Sequence, residues 1–118
     1  MADKPPAFLW YPKDYLTDLN VLPMSLEEEG AYRRLMDYCW LQGYVPADTE
    51  RMAPLCRIDG ERMALLWPAI APCFKRHPTR KGALVHPRLE KERRKQTENR
   101  ARRSAAGKAD ADARWGSK

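Results

Sequence analysis

Lys75-Arg76-His77-Pro78-Thr79-Arg80-Lys81-Gly82-Ala83-Leu84-Val85-His86 is the stretch on which the fold turns. Gly82 and the Pro78-Thr79 pair are turn formers between two short extended pieces. The pattern predicts a small β-hairpin within residues 74–89. Its tip is basic, with Arg80 and Lys81 in the turn and Lys75 and Arg76 on the incoming strand. The hairpin matters because the residues before it read as helix.

Upstream, Ser25 is followed three residues later by Glu28, the spacing of a capping box. Glu27, Glu28 and Glu29 suit the positive end of a helix dipole. Ala31, Leu35, Tyr38 and Cys39 recur at helical spacing, and Gly43 provides the usual stop. These signals predict a helix over about 26–42. Asp48 can cap a second helix whose apolar side is Met52, Leu55 and Cys56. Pro54 limits that helix to two turns or bends it. Asp59-Gly60-Glu61 reads as a turn and a new cap for a third helix carrying Met63, Leu65, Leu66, Ile70 and Phe74. Pro68 and Pro72 are expected to divide this helix, with Trp67 at the break. Near the N-terminus, Phe8-Leu9-Trp10-Tyr11 reads as a strand or extended segment on the core, and Asp14–Asp18 as a helical turn.

Downstream the composition changes. From Arg88 to Lys118 the only large apolar side chains are Leu89 and Trp115. Good helix formers follow Pro87, yet no apolar stripe exists beyond Leu89, so the segment reads as an exposed helix. Gly107 is expected to interrupt it, with fraying or disorder from Ala105 on. The chain therefore divides into a compact domain, residues 1–87, and a basic helical arm, residues 88–118.

Charge divides near the same place. Residues 1–74 carry 7 Lys/Arg against 11 Asp/Glu, and residues 75–118 carry 15 against 5, which together give the net +6 of the chain. A net of +10 over the second part favours a polyanionic partner. Phosphate contact is expected from the hairpin residues Lys75, Arg76, Arg80 and Lys81 and from the arm residues Arg93, Arg94, Lys95, Arg100, Arg102 and Arg103. The bland alternative is a solvated charged helix, in which Glu90, Glu92 and Glu98 pair with neighbouring bases.

Other chemistry finds little support. Cys39, Cys56 and Cys73 are an odd, dispersed set and read as reduced core thiols. A metal site would recruit Cys56, Cys73, His77 and His86, whose spacing matches no zinc module. Glu27, Glu28, Glu29 and Asp37 are explained by helix capping, so no catalytic group and no cofactor is expected. Trp10 or Tyr11 offers the best chance of an exposed ring for base stacking. No apolar run is long enough to span a membrane, and the N-terminus lacks signal-peptide order; a cytoplasmic protein is expected.

Three helices followed by a hairpin is the order of a winged helix-turn-helix. The fold class read from the sequence is therefore mainly α with a small β-hairpin, winged helix-turn-helix-like, followed by a basic C-terminal helix. The third helix offers only Glu61, Arg62 and Lys75 as polar groups, a poor set for reading bases. It reads more readily as core. DNA contact through the backbone is expected over base readout.

Pro6-Ala-Phe-Leu-Trp-Tyr-Pro-Lys-Asp-Tyr-Leu-Thr-Asp18, Leu26–Leu35, Tyr38-Cys39-Trp40, Pro46-Ala47-Asp48, Leu55-Cys56-Arg57 and Pro87-Arg88-Leu89-Glu90 resemble the YdaU-like family of phage and prophage proteins. The resemblance extends to Ala106-Gly107 and Ala113-Arg114-Trp115. It implies a winged-helix domain of the kind found in replication initiators or helicase-loader accessories, working in the host cytoplasm. DNA binding in phage replication or its control is the function so implied. The alternative is a small phage module that docks on a replication or defence protein.

Overall fold

The computed structural model describes the backbone of residues 6–115 and the side chains of residues 6–106. The chain enters as an extended segment, 7–11, and turns into a short helix, α1 (Pro12–Leu16). Helix α2 (Leu26–Gln42) has the bounds its sequence signals predict. The Glu28 N–H donates to Ser25 Oγ at 3.1 Å, and the Ser25 N–H donates to the Glu28 carboxylate at 2.8 Å. At the other end Gly43 adopts φ 90, a left-handed conformation that glycine enters without Cβ strain.

A two-residue strand follows, β1 (Val45–Pro46), then α3 (Thr49–Cys56) and α4 (Gly60–Ile70). Asp48 and Asp59 cap these helices through the Glu50 and Arg62 N–H groups, at 2.9 and 2.7 Å. Pro54 falls in the last turn of the two-turn α3. Pro68 does not divide α4, contrary to the sequence expectation. The helix continues to Ile70 and tightens to a 3-10 turn only at Ala71–Cys73, around Pro72. Met63 and Leu66 before Pro68, and Ile70 after it, are all buried. Packing on both sides holds the helix across the missing hydrogen bond.

The hairpin forms from β2 (Lys75–Arg76) and β3 (Ala83–Val85), with Arg76 opposite Leu84. The sheet has a third strand that the sequence did not announce. Strand β1 pairs antiparallel with β3, Val45 opposite Leu84, so the order is β1-β3-β2. Ala83, Leu84 and Val85 are all buried, as suits a central strand, and Pro46 lies on an edge, where its missing N–H is tolerated.

Helix α5 (Pro87–Trp115) follows and runs through Gly107 without the interruption expected there. One internal glycine costs only about 1 kcal/mol in a helix. The loosening expected from Ala105 on falls largely on residues whose side chains lie outside those described. Leu89 is 2% exposed and joins the core of Leu35, Cys39, Met52, Met63 and Ile70. The start of the basic helix is thus anchored in the body. The molecule is mainly helical, with a small three-stranded antiparallel sheet.

Candidate nucleic-acid interface

Two basic elements project from the helical body. The first is the hairpin tip. His77 shapes it: its Nδ1 accepts the backbone N–H groups of Thr79 and Arg80, at 3.1 and 2.9 Å. Gly82 closes the turn at φ 69. Arg80 and Lys81 are left exposed, and so are Lys75 and Arg76 on the edge strand. The Arg80 guanidinium lies 4.3 Å from the centre of the Tyr44 ring, a cation–π contact that aims it along the body.

The second element is α5. Arg94, Lys95, Arg102 and Arg103 are exposed on it, as is Arg100, which also makes contacts within the protein. Helical spacing divides them. Arg102 lies on a side turned away from Leu89, and Lys95 lies at the border, in a groove shared with Arg100 and Arg103. Arg100 and Arg103 lie on the Leu89 side, in a groove that Leu9 also lines.

Arg93 is placed differently from them. Its guanidinium donates to the backbone carbonyls of Trp40, at 2.6 Å, and Cys39, at 3.3 Å. It stands 4.5 Å from the centre of the Trp40 ring, and its Nε lies 3.6 Å from the Glu90 carboxylate. Only 21% of its side chain is exposed. Helix α2 has no basic residue in its last turn. Arg93 supplies that positive charge from another element, at the negative end of the α2 dipole. The absence of a last-turn cation in α2 was the one sequence signal for this role.

The two basic elements converge there. Arg93 meets α2 at residues 39 and 40, and Arg80 meets Tyr44 just past Gly43. Gln42 and Tyr44 share a shallow groove with Arg80 and Lys81.

Helix α4 presents a different surface. Arg62 is tied to Glu27 by two hydrogen bonds, through Nε at 2.6 Å and through its terminal nitrogen. The pairing draws the Glu27 carboxyl below its usual range. Beside them Glu61, Ala64, Leu65 and Pro68 are exposed, while Met63, Leu66 and Ile70 are core. This face carries no free array of donors for base edges.

Other residues named from the sequence are placed apart. His86 is 5% exposed and sits at the start of α5. Its Nδ1 faces the Leu89 N–H at 3.4 Å, so the proton belongs on Nε2, which donates to the Tyr32 hydroxyl at 2.7 Å. Burial first, and Arg88 second, lower the His86 pKa from 6.5 to about 4, so the ring is neutral. Burial and the Cys73 thiol raise the Tyr32 pKa. The Cys56 thiol donates to the Ala31 carbonyl at 3.6 Å, and burial holds its pKa up. Cys56, His77 and His86 thus have different partners, and among the described residues no group of three or more His, Cys, Asp or Glu could hold a metal. Trp10 is half-buried under Arg33, whose guanidinium is 3.9 Å from its ring centre. Tyr11 is 42% exposed.

Among the described residues no helix is long and apolar enough to cross a membrane. No protein-family model matches the chain. No solved structure matches it either. It is 36% identical over 104 residues to the uncharacterized protein YdaU of Escherichia coli (strain K12), across 88% of this chain and 34% of that protein. The chain spans about a third of the length of that curated relative. The likeness supports a YdaU-like family for this chain.

Proposed function

We propose that this is a phage- or prophage-derived DNA-binding protein, acting in the host cytoplasm in phage DNA replication or its control. It holds DNA mainly by the phosphates. The observation that carries the reading is the projection of two exposed basic elements, the hairpin tip and α5, from one end of α2. Lys75, Arg76, Arg80 and Lys81 supply one set of contacts; Arg94, Lys95, Arg100, Arg102 and Arg103 supply the other. The order α2, β1, α3, α4, β2, β3 supports a winged helix-turn-helix body with the hairpin as wing. The Arg62–Glu27 pairing on α4 favours backbone contact over base readout.

The test is fluorescence anisotropy with labelled random duplex and single strands over a salt series. Each phosphate neutralised contributes about −0.9 to the slope of log K against log salt on duplex DNA. Charge reversal at Arg94, Lys95 and Arg102 is the informative variant, because ending the chain at Pro87 would take Leu89 out of the core. Unchanged affinity in that variant, or no binding at low salt, would end the reading.

A second reading, a module that docks on a replication or defence protein, draws on exposed leucines. Leu19, Leu26 and Leu65 are 83%, 88% and 69% exposed. A partner recovered from nuclease-treated lysate, and lost on Leu26→Ser with Leu65→Ser, would favour it over DNA.

A further inference from the structure

A cleft of about 220 Å³ opens where segment 7–11 crosses the start of α5. Aromatic rings form its walls, those of Trp10, Tyr11, Tyr15 and Tyr32. Cys73 and the hydrogen-bonded His86–Tyr32 pair line it as well. Polar groups converge on it as well. Asp18 holds the Asn20 N–H with Oδ1 at 2.8 Å, while its Oδ2 takes no donor among the described residues. Arg88 stands at the edge, 5.5 Å from the centre of the Tyr11 ring and paired with Asp14 at 2.5 Å.

The volume is below the roughly 300–1,000 Å³ of clefts that hold drug-sized molecules. It suits one flat ring system. The position of the cleft narrows the choice further. Leu9 and Glu92 line both this cleft and a second groove, which continues along α5 past Lys95, Asn99, Arg100 and Arg103. An aromatic pocket therefore opens directly into a basic track. That combination of stacking surface and phosphate track is how single strands are held.

We propose that the cleft takes one unpaired nucleobase of a single-stranded DNA, and that the strand's phosphates run along the α5 groove. The proposal rests on the phosphate-binding reading and adds strandedness to it. The base lies against the tyrosine rings, and the Asp18 carboxylate accepts from its amino edge. Guanine, with two adjacent N–H donors, is the best match to a carboxylate, and thymine, which has no amino group, the poorest.

The experiment compares an ordinary single strand with an abasic strand of equal phosphate count, by anisotropy, on the full chain. The ordinary strand is expected to bind about 5- to 100-fold tighter, the range for one stacked base. Tyr11→Ala and Asp18→Asn should shrink that gap and leave affinity for the abasic strand unchanged. Both variants spare the fold: Tyr11 is exposed, and asparagine keeps the oxygen that Asn20 N–H uses. Equal affinity for the two strands, or variants that weaken both alike, would overturn the base pocket while leaving the phosphate reading intact. If neither strand binds, the phosphate reading fails by itself, and the cleft is judged by titrating deoxyguanosine against tryptophan fluorescence. Saturable quenching that Asp18→Asn abolishes then upholds the pocket. No quenching, or the same response to N-acetyl-tyrosinamide, overturns it.

Discussion

Arg93 closes the C-terminal end of the helix that contains Trp40: its guanidinium donates to the Trp40 carbonyl at 2.6 Å and stands over the Trp40 ring. The contact spans 53 residues of sequence. It joins the start of the basic helix to the longest helix of the body, and it engages the Arg93 guanidinium within the protein.

Arg93→Ala should therefore act on stability more than on DNA affinity. Hydrogen bonds from a charged group contribute about 1.5–3 kcal/mol each in net terms. A urea titration should show a loss of about that size, with the midpoint lowered and the slope unchanged. Arg94→Ala, one position along and exposed, should show the reverse, near-native stability with weaker binding.

His86 makes stability depend on pH. Its folded pKa of about 4 lies below the ordinary 6.5, so the folded state binds the proton less readily than the unfolded chain. The stabilisation is complete above pH 6.5 and is lost as pH falls from 6.5 through 4. A shift of this size is worth on the order of 3 kcal/mol at full effect. Between pH 7 and pH 5 the urea midpoint of the wild type should fall. In His86→Gln it should start lower and change much less over the same interval.

Ser25 carries one half of a reciprocal cap. Ser25→Ala leaves the Glu28 N–H without its side-chain acceptor. The expected loss is about 1 kcal/mol, read as a lower thermal midpoint. Ser25→Asp should recover most of it, since an acidic cap also suits the helix dipole.

The hairpin tip and the helix should contribute separately to salt dependence. Reversing Arg80 and Lys81 to Glu should lower duplex affinity and flatten the slope by about 0.9 for each phosphate no longer neutralised. Combining it with reversal at Arg94 and Lys95 should flatten the slope further, by the sum of the two changes. A combined variant no worse than either single pair would mean that the elements do not share one DNA.

Much of the scaffold was legible in the chain because its signals are local. Ser25, Glu28 and Gly43 bound α2 within a few residues of its ends, and Asp48 and Asp59 announce the next two helices. Gly82 marks the hairpin turn through its own φ. Pro68 misled because a proline states only the local cost, while Met63, Leu66 and Ile70 set the gain from packing. Strand β1 was invisible because two residues, Val45 and Pro46, carry no periodicity and become a strand only when Leu84 and Ala83 lie beside them.

The candidate interface was legible as charge and not as geometry. Composition located the basic residues, and the turn formers put Arg80 and Lys81 at a tip. Which cations remain outward was decided in three dimensions, because a long side chain takes the best acceptor within reach, whatever its distance in sequence. Arg93 found the α2 carbonyls and Arg62 found Glu27. The aromatic cleft is likewise a product of tertiary structure. Tyr32 and His86 are 54 residues apart, and only packing brings their hydrogen bond, Asp18 and the residue 7–11 segment around one space. Helix starts, chain turns and the accumulation of charge could thus be read from the residues in order, since they follow from neighbours along the backbone. Tertiary structure alone decided which side chains are committed to the fold and which are left for a partner, since that follows from neighbours across it.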